Sequence, residues 1–247
     1  MTKLRTLSLF AGIGGFDLGL ERTGGFETVG FCEIDPFCRR VLAKHWPDVP
    51  CYEDVKELTA ARLAADGIAV DVVCGGFPCQ DISPAGKGAG IDGRRSGLWS
   101  EFARLIGDLR PRLVIVENSS LLVRRGLGRV LFDLADLRYD AEWEVIPASA
   151  IGAPHHRART WLIAYPERGE RRDEPYLRSL GRVGREFKPV PWDGDWESAL
   201  RRFRGMDDGL SYGVDRIDTL RNAVVPQIPE LIGRAILSSL NQQREAA

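Results

Sequence analysis

The run from Asp71 to Cys79 carries a thiol to the end of an apolar stretch. Val70 to Cys74 predict a short buried strand, Gly75 and Gly76 end it, and Pro78 stiffens the backbone just before Cys79. Most free cysteines are inert packing residues. One delivered by a glycine pair and a proline to the mouth of a strand is instead placed to act as a nucleophile. Gln80 and Ser83 follow it, and then a loop with Gly86, Gly88, Gly90, Gly93 and Gly97 and the cations Lys87, Arg94 and Arg95. That composition suits a mobile basic lid and a polyanionic substrate.

Three further groups could do chemistry with it. Glu117 closes the apolar run Arg112 to Asn118. A carboxylate there is costly to desolvate, and burial can raise its pKa enough for it to act as an acid; the plainer reading is a strand-end acid paired with an arginine. Arg157 and Arg159 alternate, so an extended backbone projects both to one face, where an anion or a carbonyl must separate the two guanidiniums. Gly12, Ile13, Gly14 and Gly15 form a tight turn, and Glu33 lies about twenty positions further on, the spacing at which a carboxylate accepts from ribose hydroxyls. Asp17 stands where a dinucleotide fingerprint has its third glycine.

The elements that position these groups alternate. Strands are expected at Thr6–Phe10, Glu27–Cys32, Val70–Cys74, Arg112–Asn118 and Ala141–Ala148, and helices at Phe16–Arg22, Pro36–Trp46, Leu98–Leu109, Leu121–Leu137 and Ile228–Leu240. Strand, glycine turn and helix open a nucleotide-type α/β fold. From Tyr165 to about Tyr212 periodicity is lost in an Arg-, Gly- and Pro-rich stretch holding Trp192 and Trp196.

A chain of 247 residues with 44% hydrophobic and 28% charged content can bury one sizeable core. No apolar run approaches the ~20 residues that span a bilayer, and no secretory leader is evident, so a cytoplasmic protein without membrane association is expected. The five cysteines are odd in number and irregular in spacing, which fits reduced thiols, and no Cys-x-x-Cys pair suggests zinc. The net charge of -1 hides an acidic amino-terminal part and a basic stretch from Arg157 to Arg204, which suits nucleic acid or a solvated arginine-rich face.

Phe77-Pro78-Cys79-Gln80 resembles the nucleophile motif of the C5-cytosine DNA methyltransferases, and the other motifs of that family follow in order over most of the chain. The resemblance implies a doubly wound, Rossmann-like α/β methyltransferase sheet. The catalytic and cofactor-binding domain would comprise 1–164 completed by 213–247, with a small irregular target-recognition segment at 165–212. It implies S-adenosylmethionine as cofactor, held by Phe10, the Gly12 to Gly15 turn, Glu33 and Ile34, Asp54 on the adenine amino group, Val55 on the ring, Pro78, Leu98, and Asn222, Ala223 and Val224. Cys79 would add to the base, Glu117 would bind ring nitrogen 3 and the exocyclic amine, Arg159 the base carbonyl oxygen, and Arg157 would support it or a phosphate. Gln80, Ser83, Lys87, Arg94 and Arg95 would contact DNA.

Double-stranded DNA is the implied partner, with a cognate restriction endonuclease as a further one, and the chain is expected to act as a monomer. It departs from the family at Glu53 and Arg221, where glycine is usual, at Ser119 in place of valine, and at His155 in place of glutamine. Three other readings stand beside this one: an oxidoreductase on the same fold, a catalytically weak or inactive DNA-binding relative, and an RNA cytosine methyltransferase.

Overall fold

The computed structural model describes residues 2–78, 97–153, 156–167, 176–180 and 223–245. Apolar runs bounded by turn residues become strands β1 (Leu4–Leu9), β2 (Phe26–Cys32), β3 (Cys51–Tyr52), β4 (Val72–Gly75), β5 (Leu113–Ser119), β6 (Tyr139–Pro147) and β7 (Ala158–Pro166). They form one sheet in the order β3-β2-β1-β4-β5-β7-β6. β1 to β5 pair in parallel, and β7 runs antiparallel to both β5 and β6. The order reverses between β1 and β4, which opens a crevice at the carboxyl ends of those two strands, where ligands of open α/β sheets bind.

The helices are α1 (Gly15–Glu21), α2 (Pro36–His45), α3 (Ala60–Ala65), α4 (Leu98–Leu109), α5 (Leu122–Arg125), α6 (Leu127–Asp136) and α7 (Gln227–Glu245). Alternation along the strands divides them between two faces. Leu7, Leu9, Val73, Val114 and Val116 pack with Leu63 of α3, Phe102 and Ile106 of α4, and Val130 and Leu134 of α6. Val72, Cys74, Leu113 and Ile115 face the other way, against Phe16 and Leu20 of α1 and Ile228, Ile232 and Ile236 of α7. The sheet is therefore covered on both sides, the doubly wound arrangement.

Local signals explain the boundaries. Asp35 caps α2, accepting from the N–H groups of Phe37 and Cys38, with Pro36 at the first helical position. Thr59 caps α3 through Arg62 N–H. The single helix expected at Leu121–Leu137 is two, because Gly126 leaves the helical region, with φ -176° and ψ -11°, and separates α5 from α6. The strand expected at Ala141–Ala148 begins two residues earlier and gives way to a 3₁₀ turn at Ala148–Ile151. β3, α3 and the 3₁₀ turn at Tyr176–Ser179 lie outside the expected elements. Among the described residues no helix is long and apolar enough to cross a membrane.

Candidate active site

The crevice at the sheet reversal is a cavity of about 610 Å³. Phe10, Gly12, Ile13 and Gly15 line it after β1, Glu33 and Ile34 after β2, Asp54 and Val55 after β3, and Pro78 and Leu98 on the side of β4 and α4. Glu117, Arg157, Arg159, Ala223 and Val224 line the same space. Residues up to 214 positions apart in the chain thus share one cavity, and each reaches it from the end of a strand or a helix. Of the sequence-predicted site residues, Gly14 lies in the turn but does not line the cavity. Cys79, Gln80, Ser83, Lys87, Arg94, Arg95 and Asn222 lie outside the described residues, as do His155 and Arg221.

The turn after β1 is held in an unusual backbone. Phe10 has φ 54° and Gly12 φ 57°, and such a conformation is rare for an aromatic residue and typical of functional turns. Gly15 is required by close approach, since a Cβ there would lie 2.4 Å from the carbonyl oxygen of Val224. That contact joins the turn to the segment leading into α7. Glu33, 9% exposed, accepts from Gly12 N–H at 2.7 Å and from Asp35 N–H at 2.9 Å. Burial raises its pKa, and these hydrogen bonds oppose the rise. Each carboxylate oxygen has a lone pair beyond the one engaged, so the group can still accept from a diol.

Asp54 Oδ1 accepts from Lys56 N–H at 2.9 Å. The backbone beyond it is fastened by Arg104 of α4, whose Nη2 donates to the carbonyls of Val55 and Leu58 at 3.0 and 2.9 Å. Glu101 and Asp108 hold the same guanidinium from along the helix. A buried acid, a second acid on a neighbouring turn, exposed Ile34 and a glycine turn whose Gly12 has open space where a side chain would be make an acceptor and shape set suited to an adenosine.

At the other end of the cavity Glu117 stands on β5, 3.0 Å from Arg159 Nε on β7. Its side chain is 13% exposed, and burial raises its pKa while Arg159 and then Arg157 act to lower it. The register sets Ser119 opposite Arg159, so Glu117 and Arg159 lie diagonally on one face. Thr160 Oγ1 donates to the Ser119 carbonyl at 3.1 Å and reinforces that register. Arg157 stands one residue ahead of β7, still on the cavity wall. His156 is exposed, with Nδ1 3.4 Å from Ser149 Oγ.

The backbone entering the Cys79 stretch is shaped by two glycines. Gly75 has φ 156°, and a Cβ on it would lie 2.0 Å from the Leu9 carbonyl oxygen. A Cβ on Gly76 would lie 2.8 Å from Glu117 Oε2. Asn118, 2% exposed, donates to the Phe77 carbonyl at 3.0 Å and so ties the chain two residues before Cys79 to the strand that carries Glu117. An aromatic file runs from Phe77 through Trp99 and Phe102 to Phe10, with ring centroids 5.3, 5.6 and 6.4 Å apart. Sequence reading assigned no part to Asn118, Arg104 or Trp99. Asn118 could have been found from its place beside a catalytic-type glutamate, whereas the other two act through contacts distant in sequence.

A Rossmann-like sheet whose crevice runs from a glycine turn and two acids to a glutamate and two arginines defines a nucleotide-type α/β class of fold, and the comparisons with known proteins narrow it. Residues 4–180 match the family model of the C-5 cytosine-specific DNA methylases, and the chain belongs to that family. It is 36% identical over 169 residues to the Type II methyltransferase M2.BsuMI of Bacillus subtilis, a match covering 65% of this chain and 42% of that protein. Among solved structures it is similar to a DNA modification methyltransferase encoded within an E. coli prophage, with a TM-score of 0.57 at 26% identity over 66% of this chain and 47% of the other. The Dnmt2 methyltransferase of S. pombe shares the fold over 98% of this chain and 99% of its own, with a TM-score of 0.62 at 14% identity. The chain spans less than half the length of M2.BsuMI.

Proposed function

We propose that this protein is a DNA (cytosine-5)-methyltransferase that takes its methyl group from S-adenosylmethionine and modifies a cytosine flipped out of double-stranded DNA. The observation that carries the reading is the continuous cavity from Gly12 and Glu33 to Glu117 and Arg159, which would hold cofactor and base side by side. Phe10, the Gly12 to Gly15 turn, Glu33, Ile34, Asp54, Val55, Pro78, Leu98, Asn222, Ala223 and Val224 would hold the cofactor. When bound, it supplies an electrophilic methyl group on a sulfonium.

The remaining work falls to the chain. Carbon 5 of cytosine is a weak nucleophile. Addition of the Cys79 thiolate to carbon 6 makes the ring enamine-like and carbon 5 reactive. Glu117 would bind ring nitrogen 3 and the exocyclic amine, offsetting the charge that the addition places there. Arg159 would hold the base carbonyl oxygen, and Arg157 would support it or a phosphate. Both cations favour thiolate over thiol. After transfer, loss of the carbon 5 proton expels Cys79 and restores the aromatic ring. A stacked cytosine cannot present its ring faces, so it must leave the duplex, at a cost of a few kcal/mol offset by contacts from Gln80, Ser83, Lys87, Arg94 and Arg95.

The catalytic unit would be 1–164 with 213–247, a division supported by the packing of Val224 on Gly15 and of α7 on α1, and 165–212 would read the target. We place the enzyme in the cytoplasm as a monomer serving a restriction-modification system with a cognate endonuclease. The test is transfer of labelled methyl from S-adenosylmethionine to unmethylated DNA, with RNA as control, using wild type and Cys79→Ser. Methylation at one short DNA sequence, lost in Cys79→Ser, is expected. Transfer to RNA alone, or turnover retained without the thiol, overturns the reading.

A further inference from the structure

The adenosine end of the cavity lies between two turns, Glu33–Ile34 after β2 and Glu53–Asp54 after β3. The second turn is weakly anchored by the sheet. β3 is an edge strand of two residues, and its ladder to β2 consists of Phe31 opposite Cys51 and Cys32 opposite Tyr52. Arg39 of α2 reaches both turns. Its Nη1 donates to the carbonyls of Glu33 and Ile34 at 3.1 and 2.7 Å, and its Nη2 lies 3.3 Å from Glu53 Oε2. The Arg39 side chain is 24% exposed, so its stem is packed and its head is aimed at both walls, while Glu53 is 67% exposed.

From this geometry we infer that Arg39, acting through Glu53, is a positioning residue that sets the width of the cofactor's adenosine slot. The planar guanidinium serves two carbonyls with one edge and a carboxylate with the other, a division that a single ammonium cannot reproduce. The carbonyls it engages belong to the ribose-facing acid and to Ile34, and the carboxylate belongs to the residue just before Asp54. Displacing either turn therefore displaces a group on the cavity wall. Glu53 supplies a side chain where a glycine would supply none, which makes the brace a property of this chain. The inference rests on the cofactor assignment proposed above.

Calorimetric titration of the full chain with S-adenosylmethionine and with S-adenosylhomocysteine tests it, alongside melting of the unliganded protein and turnover at saturating cofactor. Arg39→Ala is expected to raise Kd about 10-fold or more, Arg39→Lys to recover part of the loss, and Glu53→Gln to raise Kd about 2- to 5-fold. The double variant should bind no more weakly than Arg39→Ala, since both changes break one contact. Turnover at saturation should stay within about 2-fold, because the brace touches no reacting atom.

Wild-type affinity in both Arg39→Ala and Glu53→Gln overturns the inference. So does an affinity loss confined to Arg39→Ala that comes with a collapse of unliganded melting, since that is a structural role alone. If Arg39→Ala does not fold, Arg39→Lys and Glu53→Gln decide the matter. Failure of the wild type to bind either ligand overturns the cofactor assignment itself, an outcome distinct from equal binding by wild type and variants.

Discussion

Glu117 and Arg159 form a 3.0 Å ion pair across β5 and β7 at the inner end of the cavity, yet burial still leaves the glutamate with a raised pKa. The pair puts a group able to keep its proton beside a fixed cation, the arrangement needed to bind a ring nitrogen and a carbonyl oxygen of one base. Glu117→Gln keeps the shape and removes the ionisable group, and its turnover should fall about 100-fold or more with cofactor affinity unchanged. Arg159→Ala removes the larger of the two charge contributions that oppose burial, so the Glu117 midpoint should move up, read by carbon-13 titration of the carboxyl. A midpoint that stays or falls would separate the two residues electrostatically.

Asn118 predicts a different signature. Its amide donates to the Phe77 carbonyl and its own carbonyl oxygen accepts from Ser119 N–H at 2.8 Å. Asn118→Ala leaves a buried carbonyl unpartnered, at a cost of about 1–3 kcal/mol, and frees the backbone that leads to Cys79. Covalent trapping of DNA containing a mechanism-based cytosine analogue should slow about 10-fold or more, while calorimetric cofactor affinity stays within about 2-fold. Trapping at the wild-type rate would remove Asn118 from the positioning of the thiol.

Gly75 and Gly76 should separate fold from site. At Gly75 a side chain meets backbone, the Leu9 carbonyl oxygen, and the φ of 156° is one that L residues rarely adopt. Gly75→Ala should cost about 2 kcal/mol or more and lower the melting temperature by several degrees. At Gly76 the obstacle is the Glu117 carboxylate, so Gly76→Ala should fold and lose turnover by moving that carboxylate. Equal melting losses in the two variants would contradict this division.

How much of this was legible beforehand follows from the range of each contact. α4 was expected at Leu98–Leu109 and is found there, because Gly97 and the apolar spacing of Trp99, Phe102, Leu105 and Ile106 are local signals. The core strands were recognisable as apolar runs bounded by turns. β3 has two residues and no period to read, and α3 is six residues whose start rests on the Thr59 cap. Gly126 lay inside an otherwise helical pattern, and its φ of -176° with ψ of -11° is non-helical, a break that periodicity alone does not announce. Glu33 and Glu117 were visible as acids closing strands. Their neighbours were not, because Asn118 meets a residue 41 positions away and Arg104 meets residues 46 and 49 positions away. Asp17 is the plainest case: read as a missing glycine, it is a fully buried carboxyl that links α1 to β1 and β2.

That carboxyl gives the last prediction. Asp17 accepts from Ser8 Oγ at 3.0 Å and Thr28 Oγ1 at 3.3 Å, two residues beyond the glycine turn. Burial pushes its pKa up to about 7, aided by Glu21 and opposed by the Ser8, backbone and Thr28 hydrogen bonds. Besides Glu21, Cys74 is a titratable group facing it, and its thiol is pushed well above the usual range. A group whose folded pKa exceeds its unfolded value near 3.8 contributes stability that is full below that value and is lost as pH rises to about 7. Glu33 and Glu117, also raised, act in the same direction. Melting temperature should therefore decline from about pH 4 to pH 7 through these three groups. Ser8 and Thr28 donate to different oxygens of Asp17. Asp17→Asn removes the charge, keeps one oxygen as acceptor and puts an N–H donor at the other, to which that hydroxyl can turn its lone pair. It should therefore flatten that decline and be more stable than wild type at pH 8, by the few kcal/mol that such a shift represents. A decline as steep in Asp17→Asn as in wild type would mean that Asp17 does not titrate in this window, and the loss would then belong to the two glutamates.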